Sequence, residues 1–289
     1  MKITNKLNLP DSIVRAVTYS DYDAGKSDYS VTGLISPPRI QALKRKHKDE
    51  IEEDAANMIW ALIGSSAHEV LRRSSNGLIT EKRFFANISG VTISGQVDMV
   101  ARDKELFDYK IQSVWAMKDG LKKEHEQQLN CYRWLCSQHG IEIKKMTICC
   151  IGRDWSAREA VRDASYPQHQ IVLFPVPVWD LAEAERFIRE RIALHEAAKK
   201  ELPLCSPEDR WQKDDCFAVM KTGRKSAVKI HYKRELAEQH TATAGKGHYI
   251  QQRKGTSIRC ESYCSVAPFC EWWQKNKPVA APEEPLEAF

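Results

Sequence analysis

Gly95-Gln96-Val97-Asp98-Met99-Val100, followed by Phe107-Asp108-Tyr109-Lys110, sets two carboxylates and an ammonium on what read as neighbouring strands. Successive side chains of a strand point to opposite faces, so residues two apart share one. Val91, Ile93, Val97 and Met99 alternate with Thr92, Ser94, Gln96 and Asp98, which predicts one apolar face and puts Asp98 on the other. Leu106, Asp108 and Lys110 share a face of the next strand. Arg102-Asp103-Lys104 is a polar connection short enough for a hairpin, and antiparallel pairing across it would bring Asp98 and Asp108 to one cation. Two anionic oxygens beside open positions suit Mg²⁺ or Mn²⁺, hard ions that keep water or substrate oxygens in their remaining sites. Lys110 then stands where an ammonium can orient a water and offset charge developing on phosphorus oxygens. A lone D-x-K decides nothing, because charged residues make up 29% of the chain and such tripeptides recur by chance on solvated strand faces.

Three further segments, in a fixed order, give that tripeptide its weight. Upstream, Ala55, Ile59, Leu62, Ile63, Ala67, Val70 and Leu71 recur at helix spacing and carry Gly64-Ser-Ser-Ala-His68. Thr80-Glu81-Lys82-Arg83-Phe84-Phe85 then reads as a strand with Glu81 at its start and Ser89-Gly90 as the turn beyond it. Downstream, Gln128 and Tyr132 are four apart in a helix predicted from Glu124 to Ser137, which stacks them on one face. Each has a plain structural counterpart: a lone histidine on an apolar helix is usually a packing residue, and a Gln–Tyr pair is often half-exposed filler. The order is helix, three strands, helix.

With these motifs in place the chain resembles the RecB-like branch of the PD-(D/E)XK nucleases, which includes phage exonucleases, AddB-type nuclease domains and the iron-sulfur exonucleases of CRISPR adaptation. The branch's helical histidine is matched by Gly64-x-x-x-His68, its G-x-x-D strand by Gly95-Gln-Val-Asp98, its D-x-K strand by Asp108-Tyr-Lys110 and its Q-x-x-x-Y helix by Gln128-Leu-Asn-Cys-Tyr132. The matches lie between residues 64 and 132. The resemblance implies an α/β fold with a restriction-endonuclease-like core: helix, three-stranded antiparallel meander, helix and a further strand. It implies that His68, Asp98, Asp108 and the main-chain carbonyl of Tyr109 bind Mg²⁺ or Mn²⁺, that Lys110 is the catalytic lysine, and that Gln128 and Tyr132 support the site and the DNA. Glu81 matches an acidic position found in some members. The implied activity is a metal-dependent DNA exonuclease of phage-type replication, recombination or repair, acting on DNA ends with recombination or replication proteins as partners, in the cytoplasm of a bacterium or a phage-infected host. A site-specific endonuclease of the same fold and a non-catalytic DNA-binding module are the competing classes.

All nine cysteines follow residue 130. Cys131 and Cys136 fall in the Gln128 helix, and Cys149 and Cys150 in an apolar strand, where a thiol acts as a small hydrophobe. Cys260, Cys264 and Cys270 instead cluster in a turn-like segment, with Cys205 the best fourth ligand and Cys216 the second. Four thiolates take an iron-sulfur cluster or a structural zinc, and ligand type alone does not decide. Disulfides are disfavoured by the odd count and by an N-terminus too polar for a signal peptide. The family resemblance favours a 4Fe-4S cluster over zinc or unliganded thiols. The chain departs from the family pattern in that the distant cysteine usually precedes the nuclease motifs, and none precedes Cys131 here.

The remaining organisation follows from breakers and periodicity. Residues 1–36 read as an N-terminal arm, with Ser36-Pro37-Pro38 starting a helix. Residues 37–200 hold helices leading to His68 and the nuclease core, with further strands at 144–151 and 170–176 and an amphipathic helix at 179–200. Residues 201–276 form a loop-rich, basic, Cys-rich C-terminal lobe, and 277–289 a disordered tail. No apolar run reaches membrane length, and no Gly-rich phosphate loop accompanies the nuclease motifs. A net charge of +5 permits nucleic acid without demanding it. Local runs such as Lys44-Arg-Lys-His-Lys48 and Lys221-Thr-Gly-Arg-Lys225 can meet phosphates.

Overall fold

The two hairpins at the centre of the chain follow from their turn residues. The structure, a computed structural model, describes residues 1–19, 25–75, 79–118 and 120–278. Strands β4 (Ile79–Ile88) and β5 (Val91–Val100) pair antiparallel from Ile88↔Val91 to Ile79↔Val100. Their two-residue turn puts Ser89 at φ 53° and Gly90 at φ 85°, the left-handed pair that matches the twist of a hairpin. At the other end of β5 the chain reverses through Ala101–Lys104, closed by Lys104 N–H to Ala101 O at 3.0 Å. It enters β6 (Glu105–Gln112) with Met99↔Phe107 and Val100↔Leu106 paired antiparallel.

The first of two compact units comprises Met1–Ala42 and Lys48–Leu202. Its N-terminal elements are β1 (Lys2–Thr4), α1 (Asp11–Thr18), β2 (Tyr29–Ser30), α2 (Val31–Ile35), α3 (Pro38–Lys46), β3 (Glu52–Asp54) and α4 (Ile59–Arg73), the last turn of α3 grouping with the other unit. After β6 come α5 (Trp115–Lys118), α6 (Lys123–Ser137), β7 (Lys145–Gly152), α7 (Ala157–Arg162), β8 (Ile171–Pro175) and α8 (Leu181–Ala197). Six strands form one mixed sheet in the order β2-β5-β6-β7-β8, with β4 on the remaining edge of β5. β6 and β7 run parallel because α6 carries the chain back between them.

Helix α6 packs on β4, β5 and β6, and also meets α2 and α8. It is therefore buried nearly all round, from Gln128 to Tyr132 and again from Trp134 to Cys136. Phe84, Ile93, Val97, Leu106, Leu129, Leu135, Ile148 and Ile188 form the interior around it. Each such side chain contributes about 1.5–3 kcal/mol by leaving water. Cys131 and Cys136 are fully buried among them as apolar thiols.

Several expectations change. The N-terminal arm is structured: β1 pairs with β3, and β2 pairs parallel with β5 through Tyr29↔Ile93, with Tyr29 buried. These strands are two or three residues long, too short for a periodic signal. The helical run expected from residue 37 is broken by β3, and no residue of α4 is fully buried; Ile63 and Val70 are exposed. Ser94, expected on a polar face, is wholly buried and shares a hydrogen bond of 2.8 Å with Ser27 Oγ, because β5 is covered on both sides there.

The second unit comprises Leu43–His47 and Pro203–Phe289. Its expected loop-rich stretch contains a three-stranded antiparallel sheet in the order β10-β9-β11, built from β9 (Cys216–Lys221), β10 (Lys229–His231) and β11 (His248–Arg253), with α9 (Arg234–Ala244) packed on it. Only Ala218, Val219 and Met220 form a buried apolar run, so the sequence signal for the sheet is faint. α10 (Glu271–Asn276) follows the cysteine segment. The tail expected from 277 lies outside the described residues from 279 onward. Among the described residues no helix is long and apolar enough to cross a membrane.

Candidate metal centre

The β5–β6 register carries Asp98 towards Asp108, but the backbone ladder stops at Met99↔Phe107. A side chain replaces the next rung: Tyr109 N–H donates to Asp98 Oδ2 at 2.7 Å. That bond fixes the orientation of Asp98 where the backbone pairing ends. Asp108 is 1% exposed. Lys110 Nζ stands 2.5 Å from its Oδ2. Apart from that ammonium, no other group of the described residues donates to this buried oxygen.

On the opposite edge of β5, Glu81 faces Asp98 by register, and it occupies the left-handed region at φ 48°. A bulky non-glycine residue in that region costs on the order of 1–3 kcal/mol. The pairing lapses at this one position and resumes at Lys82↔Val97. Glu81 is held by Gln96 Nε2, which donates to Oε2 at 2.6 Å, and by His68 Nδ1, 3.0 Å from Oε1. His68 arrives from α4, its Nδ1 also 3.6 Å from Asp98 Oδ2 and its ring edge-on to Tyr109. Ligand atoms of His68, Glu81 and Asp98 all lie within 4.8 Å of one another. The gathered trio thus includes Glu81, while Asp108 lies deeper with Lys110.

Helix α6 closes the back of the site. Gln128 Nε2 donates to Asp108 Oδ1 at 3.3 Å and to Tyr132 Oη at 2.9 Å. The Tyr132 ring lies against Gly95, where an added Cβ would sit 2.7 Å from Cε1 and 2.8 Å from Leu135 Cδ1. The glycine of G-x-x-D and the tyrosine of Q-x-x-x-Y are therefore two sides of one contact: only a residue without a side chain lets the helix approach β5 this closely.

Electrostatics show what the arrangement lacks. Glu81 and Asp98 share with His68 and Gln96 a cleft of about 210 Å³, while Asp108, outside its lining, is paired with Lys110. Burial, then the charge of Asp108, pushes the Asp98 carboxyl up to about 7. Burial likewise raises Asp108, against the pull of Lys110. His68 is raised by its hydrogen bond to Glu81. For Glu81 burial works upward, but the bonds from His68 and Gln96 outweigh it and leave the carboxyl below its usual range. Burial and then Lys110 and Lys122 hold His125 down at about 4, so it is a neutral neighbour of Lys110. Two neighbouring acids, Asp98 and Asp108, that burial keeps from ionising fit a divalent cation, whose charge removes that penalty. Carboxylate-rich donors with one imidazole suit Mg²⁺ or Mn²⁺.

The four cysteines of the expected second set also come into range of one another. Burial raises the Cys205 thiol to about 12, and Asp209, Cys260, Cys264 and Cys270 add to it. The Cys205 loop is tied to the late segment by Arg259 N–H to Arg210 O at 3.1 Å and by the Arg210 guanidinium over the Trp272 ring at 4.2 Å. Arg210 Nη1 also donates to Cys205 O. Among the described residues no three cysteine sulfurs lie within 4.8 Å of one another.

Five participants were missed by sequence reasoning. Gln96 sits inside the G-x-x-D motif, two residues before Asp98, and Arg83 continues the chain by donating to Gln96 Oε1 at 3.0 Å. His125 precedes Gln128 by three and Tyr132 by seven, the stripe that faces the site, so helix spacing held the signal. Ser30 and Thr32, from the expected arm, line the cleft; nothing local in their sequence announces it.

No protein-family model matches the chain, and no curated protein matches it at a significant level. Its fold is similar to that of SSO0001 (19% identity, TM-score 0.45, covering 69% of this chain and 85% of that one). It is also similar to a phage-related exonuclease from Haemophilus somnus 129PT (14%, 0.29, 68% and 84%). The alkaline exonuclease LHK-Exo from Laribacter hongkongensis is a third (14%, 0.33, 60% and 90%). Two of these three neighbours are thus exonucleases; at such identities and TM-scores the functional reading rests on the residues of the site.

Proposed function

We propose that this protein is a divalent-metal-dependent deoxyribonuclease of the RecB-like PD-(D/E)XK kind that digests DNA from its ends. The observation that carries the reading is the convergence of His68, Glu81 and Asp98 within 4.8 Å, with Lys110 against a buried Asp108 beside them. Asp108 and the Tyr109 carbonyl are the further ligands that the family resemblance implies. Bound Mg²⁺ or Mn²⁺ would supply a Lewis acid for a phosphate oxygen and lower the pKa of a water. Lys110, partly exposed beside Asp108, would hold the attacking water in line with phosphorus and offset the charge that develops there. Gln128, itself bonded to Tyr132, would fix the Asp108 carboxylate, as Tyr109 N–H does for Asp98. Preference for ends rests on the likeness of the His68 and Gln128–Tyr132 motifs to the exonucleolytic branch.

In this reading residues 37–200 are the nuclease proper, and Cys205, Cys260, Cys264 and Cys270 hold a 4Fe-4S cluster in the C-terminal segment. The choice of a cluster over zinc rests on the family resemblance, since four thiolates take either.

Digestion of end-labelled linear and closed circular DNA with Mn²⁺, beside an Asp108→Ala control, tests the function. The expected result is loss of label from linear DNA only, absent in the control. Cutting of the closed circle selects the endonuclease alternative, and inertness towards both removes the enzymatic reading.

A further inference from the structure

The second unit carries a surplus of positive charge that the catalytic reading leaves unused. Between Lys221 and Lys254 there are nine lysines and arginines against two acids, a surplus of seven in a chain whose total surplus is five. The fold concentrates it. The β9–β10 turn brings Lys221, Arg224 and Lys225, and the α9–β11 turn brings Lys246. The two turns are stitched side by side: Thr222 N–H donates to Gly247 O at 2.9 Å, and Lys221 pairs with His248 across the sheet. All four cations are exposed. Among the described residues none has a carboxylate within 4.0 Å, whereas exposed cations elsewhere, such as Arg72 with Glu69, Arg189 with Glu185 and Lys199 with Glu196, are paired. Gly223 at φ 80° and Gly247 at φ 82° leave both turns without side chains at their crests, so a polyanion can reach the backbone amides.

We infer that Lys221, Arg224, Lys225 and Lys246 form a grip for the phosphodiester backbone of duplex DNA, separate from the metal centre. The choice of DNA rests on the nuclease reading above; the cationic surface does not. Four like charges on adjoining turns repel one another, and a row of phosphates is the partner that turns this repulsion into attraction by releasing condensed counterions. Such a grip reads no sequence, which suits an enzyme that advances along its substrate.

The test compares the full-length protein with an Arg224→Ala/Lys225→Ala/Lys246→Ala variant. Anisotropy of a labelled 30-base-pair duplex is read in EDTA across a salt series, with phosphatidylserine vesicles as a competing probe. Expected for the variant are a Kd at least tenfold weaker at 0.1 M salt and a slope of log K against log salt lower by about 2 to 3, roughly 0.9 per lost phosphate contact. Its melting temperature should stay within error of the parent, since the three side chains are exposed. Unchanged affinity and slope overturn the grip, as does a parent protein that prefers the vesicles to DNA. DNA binding that depends on these residues in a protein that never cuts would keep the grip and remove the nuclease. Cutting with unaltered binding by the variant would do the reverse.

Discussion

The carboxylate cluster and the four thiols proposed as cluster ligands are held by different means. Among the carboxylates each acid has a dedicated holder from a regular element: Tyr109 N–H for Asp98, Gln96 and His68 for Glu81, Gln128 for Asp108. Cys260 lies in a π-turn at Arg259–Tyr263 with Cys264 just beyond it, Cys270 joins a short 3₁₀ turn at Ala267–Phe269 to α10, and Cys205 lies in a loop before β9. Where sheet and helix position the ligands, the metal is needed for chemistry and not for folding. Where irregular turns do, the bound group becomes part of the fold.

The largest expected effect breaks this contrast on the catalytic side. Lys110→Ala should lower the turnover of DNA by on the order of 10³-fold. Its circular dichroism and cluster colour should match the parent; a variant retaining more than a tenth of the activity would mean that this ammonium is not part of the chemistry.

The thiol side predicts the reverse pattern. Cys264→Ser should bleach any brown colour and open the chain beyond Pro203 to limited proteolysis, while residues up to Leu202 survive as a resistant fragment. A colourless parent protein containing one equivalent of zinc would select zinc instead.

Gly95→Ala sharpens the comparison by disturbing the scaffold of the cleft alone. The new methyl meets Tyr132 at 2.7 Å and Leu135 at 2.8 Å, and overpacking of this kind costs about 1–3 kcal/mol. Urea melts should report that loss together with a fall in turnover, because Tyr132 and Gln128 back Asp108. Lost stability with turnover intact would separate the helix from the chemistry.

The smallest effect is a pH dependence. Asp98 is raised to about 7, chiefly by burial and then by Asp108, above the unfolded value of about 3.9. Its protonated form is the one that the metal-free fold favours, so this group's stabilising contribution is full below about pH 4 and is lost as pH rises towards 7. A divalent ion needs the ionised form. Metal affinity measured by calorimetry should therefore rise between pH 6 and 8, with proton release that shrinks above pH 7. Affinity independent of pH over that range would show that Asp98 is not a ligand.

How far the site was legible depends on the kind of signal. His68, Asp98, Asp108, Lys110, Gln128 and Tyr132 occupy regular elements, where spacing of two, three or four residues fixes which side chains come together. β5, β6 and α6 were readable within a residue or so for the same reason. Glu81 belongs to the gathered trio through a left-handed backbone that no propensity suggests for glutamate. Ser30 and Thr32 reach the cleft through a two-residue parallel strand, and β9 to β11 rest on one short apolar run, so pairing with distant segments, and not local pattern, defines both.

By itself the sequence determined the helix, three strands and helix around Asp98 and Asp108, and the residue types able to hold a divalent ion, because periodicity and turn chemistry are local. Tertiary structure alone decided that Glu81 joins His68 and Asp98 while Asp108 lies deeper against Lys110 and Gln128, and that scattered basic turns meet at one end of a small sheet. Those outcomes depend on strand register and on how closely α6 can approach Gly95, and contacts between residues far apart in the chain set both.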